Sequence, residues 1–302
     1  MNPPVNWKFC KASSVTALFL RLGLLLALLA SSGCAWLDAK QRTLIYRPTA
    51  GVPADFAGLS NGDERYLVSL SASNTAVDAP QYLALWWLPN AHARAPTLLY
   101  LHGTFRNLFG NQRKIEALRS AGFSVLAVDY RGWGESSALT PTEQSILADA
   151  QVAWGELTKR QPDAKHRVIY GHSMGTAVAL DLASRLQSPA DYGGLVLESA
   201  FTSFDDVASS VGILGSLLNL FYPDDFDSLG KIAKVQAPLL MMHGRDDDTI
   251  PIQLGERLFA AASPPKHWLA MENAKHSDLD IANPALYQAT LQSFAERYLS
   301  GQ

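Results

Sequence analysis

Residues 167–186 read RVIYGHSMGTAVALDLASRL. A strand-forming run leads straight into two glycines that flank Ser173, and a helix-forming run follows at once. With no length left for a loop, the chain must turn at the glycines and lay the helix back along the strand, which begins a βα crossover. In that setting a G-x-S-x-G turn holds the Ser hydroxyl out at the strand end as a nucleophile. By itself the pentapeptide is equally a glycine-punctuated turn, in which Ser is common. The flanking sequence decides between the two.

Downstream of residue 95 the chain alternates. Short apolar runs at 95–103, 123–132, 167–170, 193–199, 237–244 and 266–272 read as strands. Between them, 115–122, 141–160, 176–186, 254–262 and 284–299 have helical spacing. Gly122 can close the first of these helices; Thr140 can cap the second, with Pro141 in its first turn and Lys159 and Arg160 in its last. Such alternation predicts an α/β fold with a mostly parallel sheet and helices on both faces. Two earlier runs, 66–71 and 82–89, have no helix between them, so the leading edge should be antiparallel. Residues 35–60 read as a loosely structured lead-in with an edge strand at 43–48. The interval 201–235 is too apolar for a surface linker and reads as a small helical cap.

The chain's 302 residues suit one large domain or two small ones, and a net charge of −3 leaves no basic footprint for nucleic acid. The N-terminus differs from the rest. Lys8, Lys11 and Arg21 precede the apolar run LGLLLALLA at 22–30, with no acid before Asp38. That is the pattern of a secretory signal, and it is too short to span a bilayer as a permanent helix. Cys10 would leave with the signal, and Cys34 alone would have no intramolecular partner. The surrounding LLASSGCAW resembles the bacterial lipoprotein signal, which implies lipidation of Cys34 and an anchor in the cell envelope. Ala35 after the Cys, where Asp would retain the protein in the inner membrane, implies the outer membrane facing the periplasm.

A serine nucleophile needs a base, and the base needs a carboxylate. Of seven histidines, His276 lies in a polar loop between the last strand and the last helix, where the order Ser…Asp…His places the base. The loop after 237–244 offers Asp246, Asp247 and Asp248. Three consecutive acids point in different directions, whereas a hard-cation site gathers oxygens from spaced positions, so no metal or cofactor is expected. His102 and His243 each precede a glycine at a strand end and are expected to order loops.

The stretches LLYLHG, VLAVDYRGWGESS, VIYGHSMG, LVLESAFTS, APLLMMHGRDDDTIP and AKHSD resemble the serine hydrolases of the α/β-hydrolase superfamily, in the branch of monoglyceride lipases, serine aminopeptidases and depalmitoylases. The resemblance implies a triad of Ser173, Asp247 and His276, with Asp247 singled out because HGRDDDTIP aligns without a gap on the family's acid motif. It implies an oxyanion hole from the backbone N–H groups of Met174 and Thr104, although HGTFRN departs from the usual HGNAGN there. It implies a small-molecule or lipid-like ester or thioester as substrate, with the membrane reached through lipidated Cys34. Ser at the nucleophile position disfavours dehalogenase and epoxide hydrolase chemistry, whose enzymes carry Asp. The alternatives are a serine aminopeptidase, in which Glu198, Asp205 or Asp206 would hold the substrate amine, and a non-catalytic scaffold. The expected organisation is a signal at 1–33, a lead-in at 34–60 and a hydrolase domain at 61–302 with the cap inserted.

Overall fold

The computed structural model describes residues 36–70, 80–210 and 224–300. Eight strands form one sheet in the order β1-β2-β4-β3-β5-β6-β7-β8. These are β1 (Glu64–Leu70), β2 (Gln81–Leu88), β3 (Thr97–Leu101), β4 (Ser124–Asp129), β5 (Arg167–His172), β6 (Gly194–Glu198), β7 (Leu239–Gly244) and β8 (Lys266–Met271). β2 runs antiparallel to both β1 and β4, and every other pairing is parallel. The antiparallel leading edge anticipated from the missing helix is therefore present.

Side chains along the central strands alternate between two cores, as the two-residue period of a strand requires. Leu99, Leu126, Ile169 and Leu195 face one layer, while Leu98, Val125, Val168 and Val196 face the other. After a first helix α1 (36–46), helix α2 (Leu108–Ser120) and the closing helix α9 (Pro284–Tyr298) cover the second layer. α3 (Glu143–Arg160), α4 (Met174–Ser184) and α7 (Ile252–Ala261) cover the first. α5 (Phe204–Ser210), α6 (Leu229–Ile232) and α8 (Leu279–Ala282) are short connecting turns of helix.

Local chemistry moves several boundaries from their expected places. α2 begins seven residues before 115, because Asn107 is extended and its side chain accepts the Gly110 N–H. α3 is capped by Thr142 rather than Thr140. The Thr142 hydroxyl accepts the Ser145 N–H while the Ser145 side chain accepts the Thr142 N–H, a reciprocal capping box.

The lead-in starts as a helix where a strand was expected at 43–48, and 47–60 form no helix or strand. Residues 36–46 are helical, and Tyr46 is wholly buried against Trp133, Phe204 and Phe226. Its hydroxyl donates to Asp224 at 2.7 Å, and Asp224 also pairs with Arg42. Strand propensity in TLIYRP loses here to tertiary packing, which sets the outcome for short segments. Of the cap, only its flanks, α5 and α6, fall within the described residues; 211–223, with the signal at 1–33 and Cys34, lie outside them. No described helix is long and apolar enough to cross a membrane.

Because Tyr46 joins α1 to the main core, Tyr46→Ala should lower the free energy of unfolding by about 3–5 kcal/mol in urea denaturation. A change below about 1 kcal/mol would show that α1 packs independently of the domain.

Candidate active site

Ser173 sits between β5 and α4 with φ 56° and ψ −126°, a positive φ that a non-glycine residue rarely adopts. Such strain costs on the order of 1–3 kcal/mol and persists only where the surroundings enforce it. The glycines on either side show how. A Cβ at Gly171 would lie 2.3 Å from the Gly175 carbonyl oxygen, and one at Gly175 would lie 2.0 Å from the Leu101 oxygen. Both positions are closed to any side chain because β5, the start of α4 and the end of β3 meet there. The Ser173 N–H is fixed by the Glu198 carbonyl at 3.0 Å, and its own carbonyl accepts from Thr176. The hydroxyl is thus held at the positive end of the α4 dipole.

His276 reaches this hydroxyl from the loop after β8. Its Nε2 is 2.8 Å from Ser173 Oγ, and its Nδ1 is 2.8 Å from Asp247 Oδ2. Asp247 can only accept, so Nδ1 carries the proton and Nε2 is free to take one from Ser173. Ser173, His276 and Asp247, chosen from distant parts of the sequence, are brought into one line. Asp246 and Asp248 do not join it.

Burial would raise the Asp247 carboxyl, but hydrogen bonds from His243, His276 and the Ile250 N–H hold it well below the usual carboxylate range. The other oxygen accepts the Thr249 and Ile250 N–H groups at 2.9 and 2.8 Å. His243 Nε2 stands 3.0 Å from the Ile250 carbonyl and 3.2 Å from Asp247 Oδ2. Both neighbours are acceptors, so Nε2 bears the proton and points it between them. His243 therefore contacts the carboxylate directly, which goes beyond ordering a loop.

The turn after β3 also meets Ser173. A Cβ at Gly103 would come within 2.9 Å of Ser173 Cβ, which seats that turn directly on Ser173. Thr104 comes next in that turn. Met174 opens α4, where helix geometry leaves the first N–H groups without intrahelical acceptors. Phe105, with φ 50°, donates its N–H to the Tyr46 carbonyl at 2.9 Å, so α1 buttresses the turn from outside.

The His276 loop is also pinned from below. The His276 carbonyl accepts from Ser199 Oγ at 2.9 Å and from His172 Nε2 at 3.2 Å. Burial, Lys114 and His276 push His172 well below the ordinary histidine range, so it stays neutral. Four residues on, Asp280 pairs with Lys114 Nζ at 3.2 Å and with Arg113. Lys114 in turn pairs with Glu198, whose second oxygen accepts from Tyr170 and Tyr287. Sequence reasoning missed this network, although Lys114 does fall one position from Ile115 on the buried face of α2. The network also corrects one aminopeptidase candidate: Glu198 is wholly buried and engaged by Lys114, not presented to a substrate amine. Asp206 pairs with Thr202 and Arg257. Among the described residues, no cluster of His, Cys, Asp and Glu is arranged to hold a metal ion.

A family model described as "Serine aminopeptidase, S33" matches residues 92–224, a span that includes Ser173 and ends before Asp247. An uncharacterized protein of Mycobacterium tuberculosis is 32% identical over 293 residues, covering 96% of this chain and 97% of the relative. The chain belongs to the α/β-hydrolase family. Lysophosphatidylserine lipase ABHD12 of Macaca fascicularis is 31% identical over 242 residues, which span 68% of this chain and 58% of that lipase. Among solved structures, an esterase of Pyrococcus furiosus superposes with a TM-score of 0.65 at 19% identity, over 84% of this chain and 98% of the esterase. At that identity the likeness bears on the fold. The fold class anticipated from the alternating pattern and the named motifs is thereby shown.

Lys114→Met would leave Glu198 and Asp280 buried without their shared cation. It should destabilise the protein by about 3–5 kcal/mol in chemical denaturation. Adding Glu198→Gln and Asp280→Asn to it should restore part of that loss.

Proposed function

We propose that this protein is a serine hydrolase of carboxylic esters or thioesters, held in the bacterial cell envelope by lipid on Cys34. The observation that carries the catalytic reading is the unbroken line from Ser173 Oγ through His276 to Asp247, each contact 2.8 Å long. Ser173 Oγ attacks the acyl carbon as His276 Nε2 takes its proton. The carbonyl electron pair moves to oxygen, and the N–H groups of Met174 and Thr104 receive that oxyanion. His276 then protonates the leaving alkoxide or thiolate as the carbon–oxygen or carbon–sulfur bond breaks, which leaves an acyl-Ser173 ester. Water, deprotonated by His276, releases the acid and returns the proton to Ser173. Asp247 fixes the His276 tautomer and stabilises the imidazolium without itself taking the proton.

The names of the lysophosphatidylserine lipases favour a lipid-like ester as substrate. The burial and pairing of Glu198 weigh against the aminopeptidase alternative. The sequence around Cys34 supports the anchor, with the outer membrane facing the periplasm as its site.

The reading is tested by hydrolysis of p-nitrophenyl esters from acetate to palmitate, comparing the purified full chain with Ser173→Ala. Activity should fall on the order of 10³-fold or more in the variant, and a fluorophosphonate probe should label only the wild type. No hydrolysis at any chain length, with no labelling of the folded protein, would overturn it.

The pH dependence is also determined. Because Asp247 is held well below the usual carboxylate range, it stays ionised through the mildly acidic range. Any loss of kcat/KM on the acid side should therefore follow a limb of unit slope, with no second limb from Asp247. A slope of two on the acid side would show that a second group must also be deprotonated.

A further inference from the structure

We infer that the outward face of α1 is a docking surface for an anionic lipid bilayer, and that it turns the Ser173 site toward the membrane plane. The inference rests on the proposed reading for what the site would meet there and for the N-terminal anchor that would bring α1 to the bilayer.

At 100° per residue, positions 36, 37, 40, 43 and 44 share one side of the helix. They are Trp36, Leu37, Lys40, Thr43 and Leu44, all exposed, and the exposed Arg47 follows just past the end of the helix with φ 45°. The apolar members are far more open than isolated surface residues need be: Trp36 is 63% exposed, Leu37 61% and Leu44 72%. The opposite side carries Arg42 and Tyr46 into the protein. The helix's one acid, Asp38, is bound to Arg42, so the outward face holds cations and no carboxylate. Trp and Leu interspersed with Lys on one face, with an Arg at its end, is the composition of a helix lying in a membrane interface. Lys40 Nζ sits 5.9 Å from the Trp36 ring centroid, so ring and cation occupy the same level.

The patch continues onto the catalytic side. Phe105 is 41% exposed, its ring carries the Arg106 guanidinium at 5.5 Å, and its N–H is held by the Tyr46 carbonyl at the end of α1. Phe105 follows Thr104, in the turn seated on Ser173. A surface that receives α1 therefore also meets the rim of the oxyanion turn.

A lipid surface is favoured over a protein partner by the sequence that runs into the helix. The apolar run 22–30 and Cys34 immediately precede Trp36, so a chain held by that segment brings α1 to the bilayer first. Lys40, Arg47 and Arg106 complement anionic headgroups.

The test uses the full chain in vesicles of phosphatidylcholine and phosphatidylglycerol, with or without lipid brominated near the headgroup end of its acyl chains. Subtracting the emission of Trp36→Phe isolates Trp36 from the other tryptophans. Bromine should quench that difference signal about twofold, and the doubly substituted Leu37→Glu/Leu44→Glu protein should lose the quenching. Trp36 emission indifferent to bromine, in protein that co-floats with the vesicles, would overturn the inference. So would shielding of Trp36 that tracks protein concentration without lipid, which would assign the face to a second copy. In a kinetic arm, the double variant should match wild type within about twofold on p-nitrophenyl acetate, yet be about tenfold slower on a fluorogenic ester dissolved in the vesicles. Equal slowing on both substrates would overturn the orientation. Failure of the wild type to cleave either ester would remove the hydrolase reading, while the quenching still decides the docking surface.

Discussion

The positive φ of Ser173 is the constraint on which the rest of the site depends. A serine does not hold φ 56° by its own preference. It is held because Gly171, Gly175 and the end of β3 pack with no space for a Cβ between them, and because the Glu198 carbonyl takes the Ser173 N–H. The two glycines are thus requirements of packing between three elements. Once the turn exists, the N-terminus of α4, the hydroxyl and the turn after β3 all converge on the same point. The geometry at Ser173 is a by-product of how tightly the central strands and α4 are packed.

His276 has no such rigid support of its own, since it stands on a loop. Its position is enforced by polar groups instead. Ser199 and His172 hold its carbonyl, Asp247 holds its ring, and Asp280 ties the next turn to Lys114 and Arg113. Removing one member of a buried ion network of this kind leaves an uncompensated charge, so its members hold one another in place. That suits a loop whose side chain stays within hydrogen-bonding distance of Ser173, at the end of a different strand.

Much of this was legible in the sequence, for physical reasons that differ by element. Strands buried on both faces are nearly continuous apolar runs, so β3 to β7 stand out, and the tight glycine turn marks Ser173. His276 was legible from chain order, but Asp247 was separated from Asp246 and Asp248 only by resemblance, since adjacent acids look alike until the turn that orients them is known. α1 was misread because TLIYRP has strand-forming composition, and only the burial of Tyr46 against Trp133 and Phe226 decides the matter. Lys114 and Glu198 were illegible as partners: 84 residues separate them, and nothing local signals that a lysine in one helix will neutralise a carboxylate at the end of a distant strand.

The hydrogen bond from the Phe105 N–H to the Tyr46 carbonyl makes α1 and the turn after β3 a single module, although 58 residues of sequence and the strands β1, β2 and β3 lie between Tyr46 and Phe105. Variation in one is therefore not free of the other. A graft that exchanges the leading segment for that of another hydrolase would carry away the support for residues 104–106 unless that turn travelled with it. The natural unit of exchange in this protein is discontinuous in sequence, and it comprises the helix that precedes the sheet together with the tip of its third strand.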